Sequence, residues 1–188
     1  MTRIVAGALR GLVLAVPRHI RASEEQARAA LFNVLGSGVM GARVVDAFAG
    51  SGAMGLEALS RGAREVAFLE SHPTCLKAIE ANIARTVQYG AGGRCVVYRG
   101  DALRGLRALS RQAEPWDVVI LDPPYRGSWG KKALNVSASC GILPRTGILC
   151  LEHARQSQMP ASLGPLIRIK QHRYGDTVLS FYQPIGTS

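Results

Sequence analysis

Arg43-Val44-Val45-Asp46-Ala47-Phe48-Ala49-Gly50-Ser51-Gly52-Ala53-Met54-Gly55 decides how this chain folds. Val44 to Phe48 is a short apolar run broken by one carboxylate, the length of a buried strand. Ala49 to Gly52 reads as a turn, and the pattern then predicts a helix from Met54 to Arg61 that Gly62 stops. Gly50, Gly52 and Gly55 satisfy G-x-G-x-x-G between strand and helix. In that setting glycine lets backbone approach a ligand closely, and the helix N-terminus favours a negative group. Asp46 complicates a simple phosphate site. Its carboxylate stands inside the strand, four residues before Gly50, where it favours a cationic group such as an amino-acid ammonium.

Downstream the same unit repeats. Val66 to Leu69 is a second strand ending at Glu70, and Pro73 opens a helix that runs to about Arg85. Cys95 to Tyr98 is a third strand, closed by Gly100-Asp101, and Asp117 to Leu121 is a fourth. A helix around Lys131 to Cys140 and a strand from Gly147 to Leu151 follow. Strands alternating with helices predict an α/β fold with a mostly parallel, doubly wound sheet. Leu166 to Lys170 and Thr177 to Tyr182 flank a turn at Tyr174-Gly175-Asp176, an antiparallel hairpin expected at the sheet edge.

Upstream, Ile4 to Gly7 and Leu12 to Val16 read as two short strands around a turn from Ala8 to Gly11. Ser23 is placed to cap a helix from about Glu24 to Leu35, with Gln26 as its capping-box partner. That helix sets Ala27, Ala30, Leu31 and Val34 on one face, and Gly36 to Gly41 ends it. The expected division is a basic hairpin extension over 1–22 and one larger domain over 23–188.

An apolar fraction of 47% with 19% charged residues belongs to a globular chain and argues against disorder. Lys and Arg number 23 against 13 Asp and Glu, a formal charge of +10 that points to a polyanionic partner, RNA or DNA before a membrane surface. Cys75, Cys95, Cys140 and Cys150 are widely spaced, which fits free thiols in a reducing cytosol better than zinc ligation or a disulfide framework. Ile4 to Val16 superficially resembles a signal peptide, but Arg10, Gly7 and Gly11 interrupt it and no cleavage site follows. No run approaches the roughly 18 apolar residues of a membrane span. A cytoplasmic, soluble protein is expected.

The fourth strand ends in Asp122-Pro123-Pro124-Tyr125. Each proline fixes its φ and lacks an N–H, so the backbone is stiff and the Pro123 carbonyl is free to accept. A carboxylate, a carbonyl and an aromatic ring suit a planar group carrying an –NH2. Three further carboxylates mark strands: Asp46, Glu70 placed for ribose hydroxyls, and Asp101 placed for an adenine amino group. A nicotinamide dinucleotide would satisfy the glycine loop and Glu70. S-Adenosylmethionine satisfies all of them, and ligands of open α/β sheets bind outside the carboxyl ends of the strands.

On these residues the chain resembles the class I S-adenosylmethionine-dependent methyltransferases, and more narrowly the bacterial 16S rRNA guanine-N2 methyltransferases. The likeness covers Arg3-Ile4-Val5-Ala6-Gly7, Arg28 to Asn33, Arg99-Gly100-Asp101-Ala102, Glu152-His153 and Tyr174-Gly175-Asp176-Thr177, and only the two ends of the chain point to the narrower family. It implies a seven-stranded Rossmann-like sheet. Asp46, Phe48, Ala49, Gly50, Ser51, Gly52, Glu70, Asp101 and Ala102 would hold the cofactor, which leaves as S-adenosylhomocysteine. Asp122, Pro123, Pro124 and Tyr125 would be catalytic, with no metal. Arg3, Arg10, Arg18, Arg21 and Arg173 would contact RNA. The implied partner is 16S rRNA, within the small ribosomal subunit or an assembly intermediate, met by a monomer. One departure stands out: Arg21-Ala22-Ser23 replaces the family's Arg-Pro-Thr and loses the proline's rigidity. Three other readings remain: methylation of another amino group (adenine N6 or a protein glutamine), a catalytically silent RNA-binding assembly factor, and a nicotinamide-dependent dehydrogenase. His153 is read as a structural hydrogen-bonding residue before a general base.

Overall fold

Strand β1 (Arg43–Ala47) is buried along its whole length, because parallel strands cover it on both sides. Its neighbours are β2 (Glu65–Glu70) and β4 (Val118–Leu121), in registers that oppose Asp46 to Phe68 and to Ile120. The computed structural model describes residues 2–17, 25–125 and 127–185. The other strands and α-helices described are α1 (Glu25–Leu35), α2 (Ala53–Ser60), α3 (Pro73–Gln88), β3 (Arg94–Arg99), α4 (Ala102–Leu109), α5 (Trp129–Cys140), β5 (Ile148–Ala154), β6 (Ser162–Leu163), β7 (Leu166–Tyr174) and β8 (Thr177–Pro184). One sheet takes the order β3-β2-β1-β4-β5-β8-β7-β6. The strands from β3 to β5 are parallel, and β8, β7 and β6 are antiparallel.

Two apolar layers sandwich the sheet. One joins Leu31, Phe32, Leu56, Phe68 and Ile79 under α1, α2 and α3. The other joins Val45, Leu69, Leu106, Trp116 and Leu134 under α4 and α5. Burial on both faces is what the valine- and leucine-rich strands require. No helix among the described residues is long and apolar enough to cross a membrane.

The doubly wound reading of the chain stands, with three corrections. Among the described residues the sheet has eight strands where seven were expected, the additional one being β6, only two residues long. Helix α4 was not expected at all: Gly105 and two arginines, Arg104 and Arg107, hide its apolar positions, Ala102, Leu106 and Leu109. The N-terminal hairpin is reduced to one bridge between Arg3 and Val13. Ile4 N–H and Leu14 N–H still donate across it, to the Leu12 and Thr2 carbonyls at 2.9 Å, but other backbone donors turn to α2. Val5 N–H and Ala6 N–H donate to the Glu57 carboxylate at 2.7 and 3.0 Å, and Leu9 N–H donates to Ser60 Oγ at 2.9 Å. With those groups satisfied by α2, no long strand pairing is needed. Ile4, Leu9, Leu12 and Leu14 are buried in the main core, so this stretch is part of the domain's packing and no free surface hairpin.

Helix α1 begins at Glu25, and Val34 on its expected face is only half-buried. The Ser23 cap, Ala22, Arg18 and Arg21 lie outside the described residues.

Candidate active site

The carboxyl ends of β1, β2, β3 and β4 open on one cavity of about 610 Å³. Phe48, Ala49, Gly50, Ser51, Glu70, Asp101, Ala102 and all four residues from Asp122 to Tyr125 line it. Eleven of the thirteen residues assigned above to cofactor or catalysis therefore meet in one place. The exceptions are Asp46 and Gly52, which do not line it.

Asp46 is buried, 1% exposed, and its carboxylate accepts the Gly55 N–H at 2.8 Å. Burial pushes its pKa up from 3.8 to about 7, against the lowering effect of the Gly55 hydrogen bond, and Glu70 adds to the rise. Asp46 thus braces the loop from below. Gly52, at φ 80°, turns inward, where an added Cβ would meet Ile79 and Phe68 at 3.3 Å. At Gly55 a Cβ would stand 2.3 Å from Phe68 Cε1. Only Gly50 of the three glycines brings backbone to the cavity, and the other two serve helix-to-strand packing.

Glu70 ties the loop to the next strand. Its Oε2 accepts Gly50 N–H at 2.8 Å, while Oε1 accepts the N–H groups of Ser71 and His72 at 2.7 and 2.8 Å. A carboxylate has about four acceptor sites, so roughly one remains for a ligand hydroxyl. Asp101 caps α4, with Oδ1 accepting Arg104 N–H at 2.9 Å. Phe48 is the one non-glycine residue with positive φ among those described, at 63°. Such strain concentrates at functional sites. Its ring meets Trp129 edge-on with centroids 6.2 Å apart.

At the opposite wall, Tyr125 donates its hydroxyl to Glu152 Oε1 at 2.7 Å and lies 2.9 Å from Thr177 Oγ1. Burial raises the Tyr125 pKa, and the Glu152 carboxylate adds to it. The phenol therefore stays protonated and its ring is held in one orientation. Pro123 is buried, and no described residue donates to its carbonyl. Glu152, Thr177, Trp129, His72 and Cys75 also line it and were not singled out from sequence as site residues. Glu152 and Thr177 stood inside quoted motifs, and an acidic residue at the end of a strand was the available signal for the first.

His153 does not line the cavity. Its Nδ1 lies 3.0 Å from the Ala154 carbonyl, which can only accept, and its Nε2 lies 2.9 Å from Ser180 Oγ. Burial lowers its pKa, so a neutral, structural imidazole results. Arg3, Arg10 and Arg173 are exposed away from the cavity lining. All four cysteines are free, Cys75 and Cys150 buried.

Residues 2–183 match the family model described as Conserved hypothetical protein 95. The chain is 29% identical over 160 residues to the Ribosomal RNA small subunit methyltransferase D of Escherichia coli strain K12, covering 84% of this chain and 77% of that one. It is 31% identical over 152 residues to the protein of the same name from Haemophilus influenzae, covering 80% and 77%. Among solved structures, yhhF of Escherichia coli superposes with a TM-score of 0.83 at 28% identity over 98% of each chain. The chain belongs to the Conserved hypothetical protein 95 family, the 16S rRNA methyltransferase family of these relatives, and has the class I methyltransferase fold.

Proposed function

We propose that this protein transfers a methyl group from S-adenosylmethionine to the exocyclic N2 amine of a guanine in 16S rRNA. One observation carries the reading: the Asp122-to-Tyr125 shelf and the Gly50/Glu70/Asp101 set line the same cavity, so an acceptor amine and a nucleoside cofactor can meet there. The small-subunit rRNA methyltransferase names of the relatives support the choice of RNA, as does the charge of +10.

The cavity fits the cofactor. Glu70 keeps an acceptor site for ribose hydroxyls, and Asp101 Oδ2 accepts from no described residue, leaving it for an adenine amino group. Phe48 and the Gly50–Ser51 backbone would hold the remainder. When bound, S-adenosylmethionine supplies an electrophilic sulfonium methyl. Asp46 would act at one remove, through Gly55 and the loop it braces, because its carboxylate does not line the cavity.

The guanine amine is a weak nucleophile because its lone pair is delocalised into the ring. The Asp122 carboxylate and the Pro123 carbonyl accept its two hydrogens, which turns the lone pair out of conjugation and toward the methyl. Well-oriented intramolecular reactions gain roughly 7–11 kcal/mol. Asp122 or solvent then takes the proton. Tyr125, fixed by Glu152 and Thr177, offers its ring face to a base that has left its helix at a cost of about a few kcal/mol. Monomeric action on the small subunit or an assembly intermediate completes the reading.

The test is label transfer from methyl-labelled cofactor to undermethylated small subunits, naked rRNA, DNA and protein in parallel. Label confined to small-subunit RNA is expected. Label in DNA or protein alone would replace the substrate class, and no transfer to any of the four would reduce the chain to a binding factor.

A further inference from the structure

Beyond the cavity, a groove of about 490 Å³ runs between α1 and β7, lined by Gln26, Asn33, Val34, Lys170, His172 and Tyr174 with two alanines of α1. We propose that it holds the unpaired RNA strand that flanks the target guanine. The inference rests on the functional reading above and adds the surface that grips the substrate.

Continuity with the cavity comes first. Tyr174 pairs across the hairpin with Thr177, and directly opposed residues share one face of a sheet. Thr177 lies 2.9 Å from the Tyr125 hydroxyl and lines the cavity itself. On the same face, His172 opposes Leu179 and Lys170 opposes Phe181, both in the core layer that α1 covers. Tyr125, Thr177, Tyr174, His172 and Lys170 therefore form one track leading from the acceptor shelf into the groove.

Its chemistry matches a nucleotide strand. The rings of His172 and Tyr174 stack with centroids 6.3 Å apart and planes inclined by 30°, a platform on which bases can stack regardless of sequence. The His172 ring also meets Phe181 edge-on with centroids 6.3 Å apart, which holds the platform against the core. The exposed Lys170 supplies a cation for phosphate, and the amides of Gln26 and Asn33 can donate to or accept from base edges. No carboxylate is among the residues that line the groove, and the chain carries +10 overall. An acidic peptide would find the cation but leave the stacked rings without bases, so RNA is the better fit.

The test uses the full chain with Lys170→Glu and Gln26→Glu, both at exposed positions where an introduced carboxylate spares the core. Binding of a small-subunit rRNA fragment is followed by fluorescence anisotropy from low to high salt, with S-adenosylmethionine affinity measured by calorimetry as a separate readout. The expected result is RNA affinity weakened by roughly tenfold in each variant, a log–log salt slope reduced by about 1 for Lys170→Glu, and unchanged cofactor affinity. RNA affinity and salt slope identical to the unsubstituted protein in both variants would overturn the groove. If RNA binds through the groove yet receives no methyl, the groove stands and the enzymatic reading falls. If methyl transfer to RNA proceeds and both variants bind normally, the reverse holds.

Discussion

The side-chain amide of Asn82 donates to the Ser51 carbonyl at 3.0 Å, joining α3 to the turn that carries the glycine loop. The same amide donates to the Ala15 carbonyl at 3.0 Å, and its oxygen accepts the Ala15 N–H at 2.8 Å. One fully buried side chain thus holds both the N-terminal stretch and the cavity wall. Asn82→Leu keeps similar bulk and leaves those backbone groups without partners. A loss of about 1–3 kcal/mol in unfolding free energy is expected. Because Ser51 lines the cavity, cofactor affinity should fall by roughly tenfold as well. Denaturant titration and calorimetry check the two effects, and wild-type values in both would remove Asn82 from the site's support.

Asp122→Ala removes the acceptor proposed to turn the amine toward the methyl but leaves Gly50, Glu70 and Asp101 in place. Turnover should drop by at least about a hundredfold, while cofactor affinity holds. Single-turnover kinetics beside a binding isotherm separate the two. Wild-type turnover would take the shelf out of the mechanism.

Tyr125→Phe keeps the stacking ring and deletes its hydrogen bonds to Glu152 and Thr177. A hydrogen bond to a charged group contributes about 1.5–3 kcal/mol, so loss of ring orientation should lower kcat by roughly tenfold or more, with cofactor affinity unchanged. A kcat equal to that of the unsubstituted protein would mean that Glu152 and Thr177 do not orient the ring.

The strand–loop–helix unit at Asp46 to Gly55 was legible because its apolar run, glycines and helix period agree with one another. From that unit the strand-end carboxylates and the proline shelf followed, and they converge on one cavity. What sequence could not supply was the destination of individual side chains. Asp46 has the charge for an ammonium, yet Gly55 lies nine residues on and takes its carboxylate. Gly52 and Gly55 fit a ligand-approach motif, but Phe68 crowds both. The N-terminal run has strand-like composition, and only the fold brings Glu57 and Ser60 to its backbone donors. Helix α4 escaped notice because Gly105 occupies the place where it packs on Leu69. In each case a partner distant in sequence overrode the local pattern.

Asp46 also sets a pH dependence. Its folded pKa of about 7 lies above the ordinary 3.8, so the folded state binds more protons between those values. Its contribution to stability is therefore complete below about pH 4 and is lost as pH rises through 7. Asp46→Asn can still accept the Gly55 N–H and carries no charge. The variant should show a shallower decline in unfolding free energy between pH 4 and 7 than the unsubstituted protein. Denaturant unfolding across that range checks it, and parallel curves would contradict the assignment.

The central claim, amine methylation of ribosomal guanine at the Asp122 shelf, is tested most directly by nucleoside mass spectrometry of undermethylated small subunits treated with the protein and methyl-labelled cofactor. Labelled N2-methylguanosine is expected with the unsubstituted chain and none with Asp122→Ala. Label on adenine N6, or N2-methylguanosine formed equally by both proteins, would contradict it.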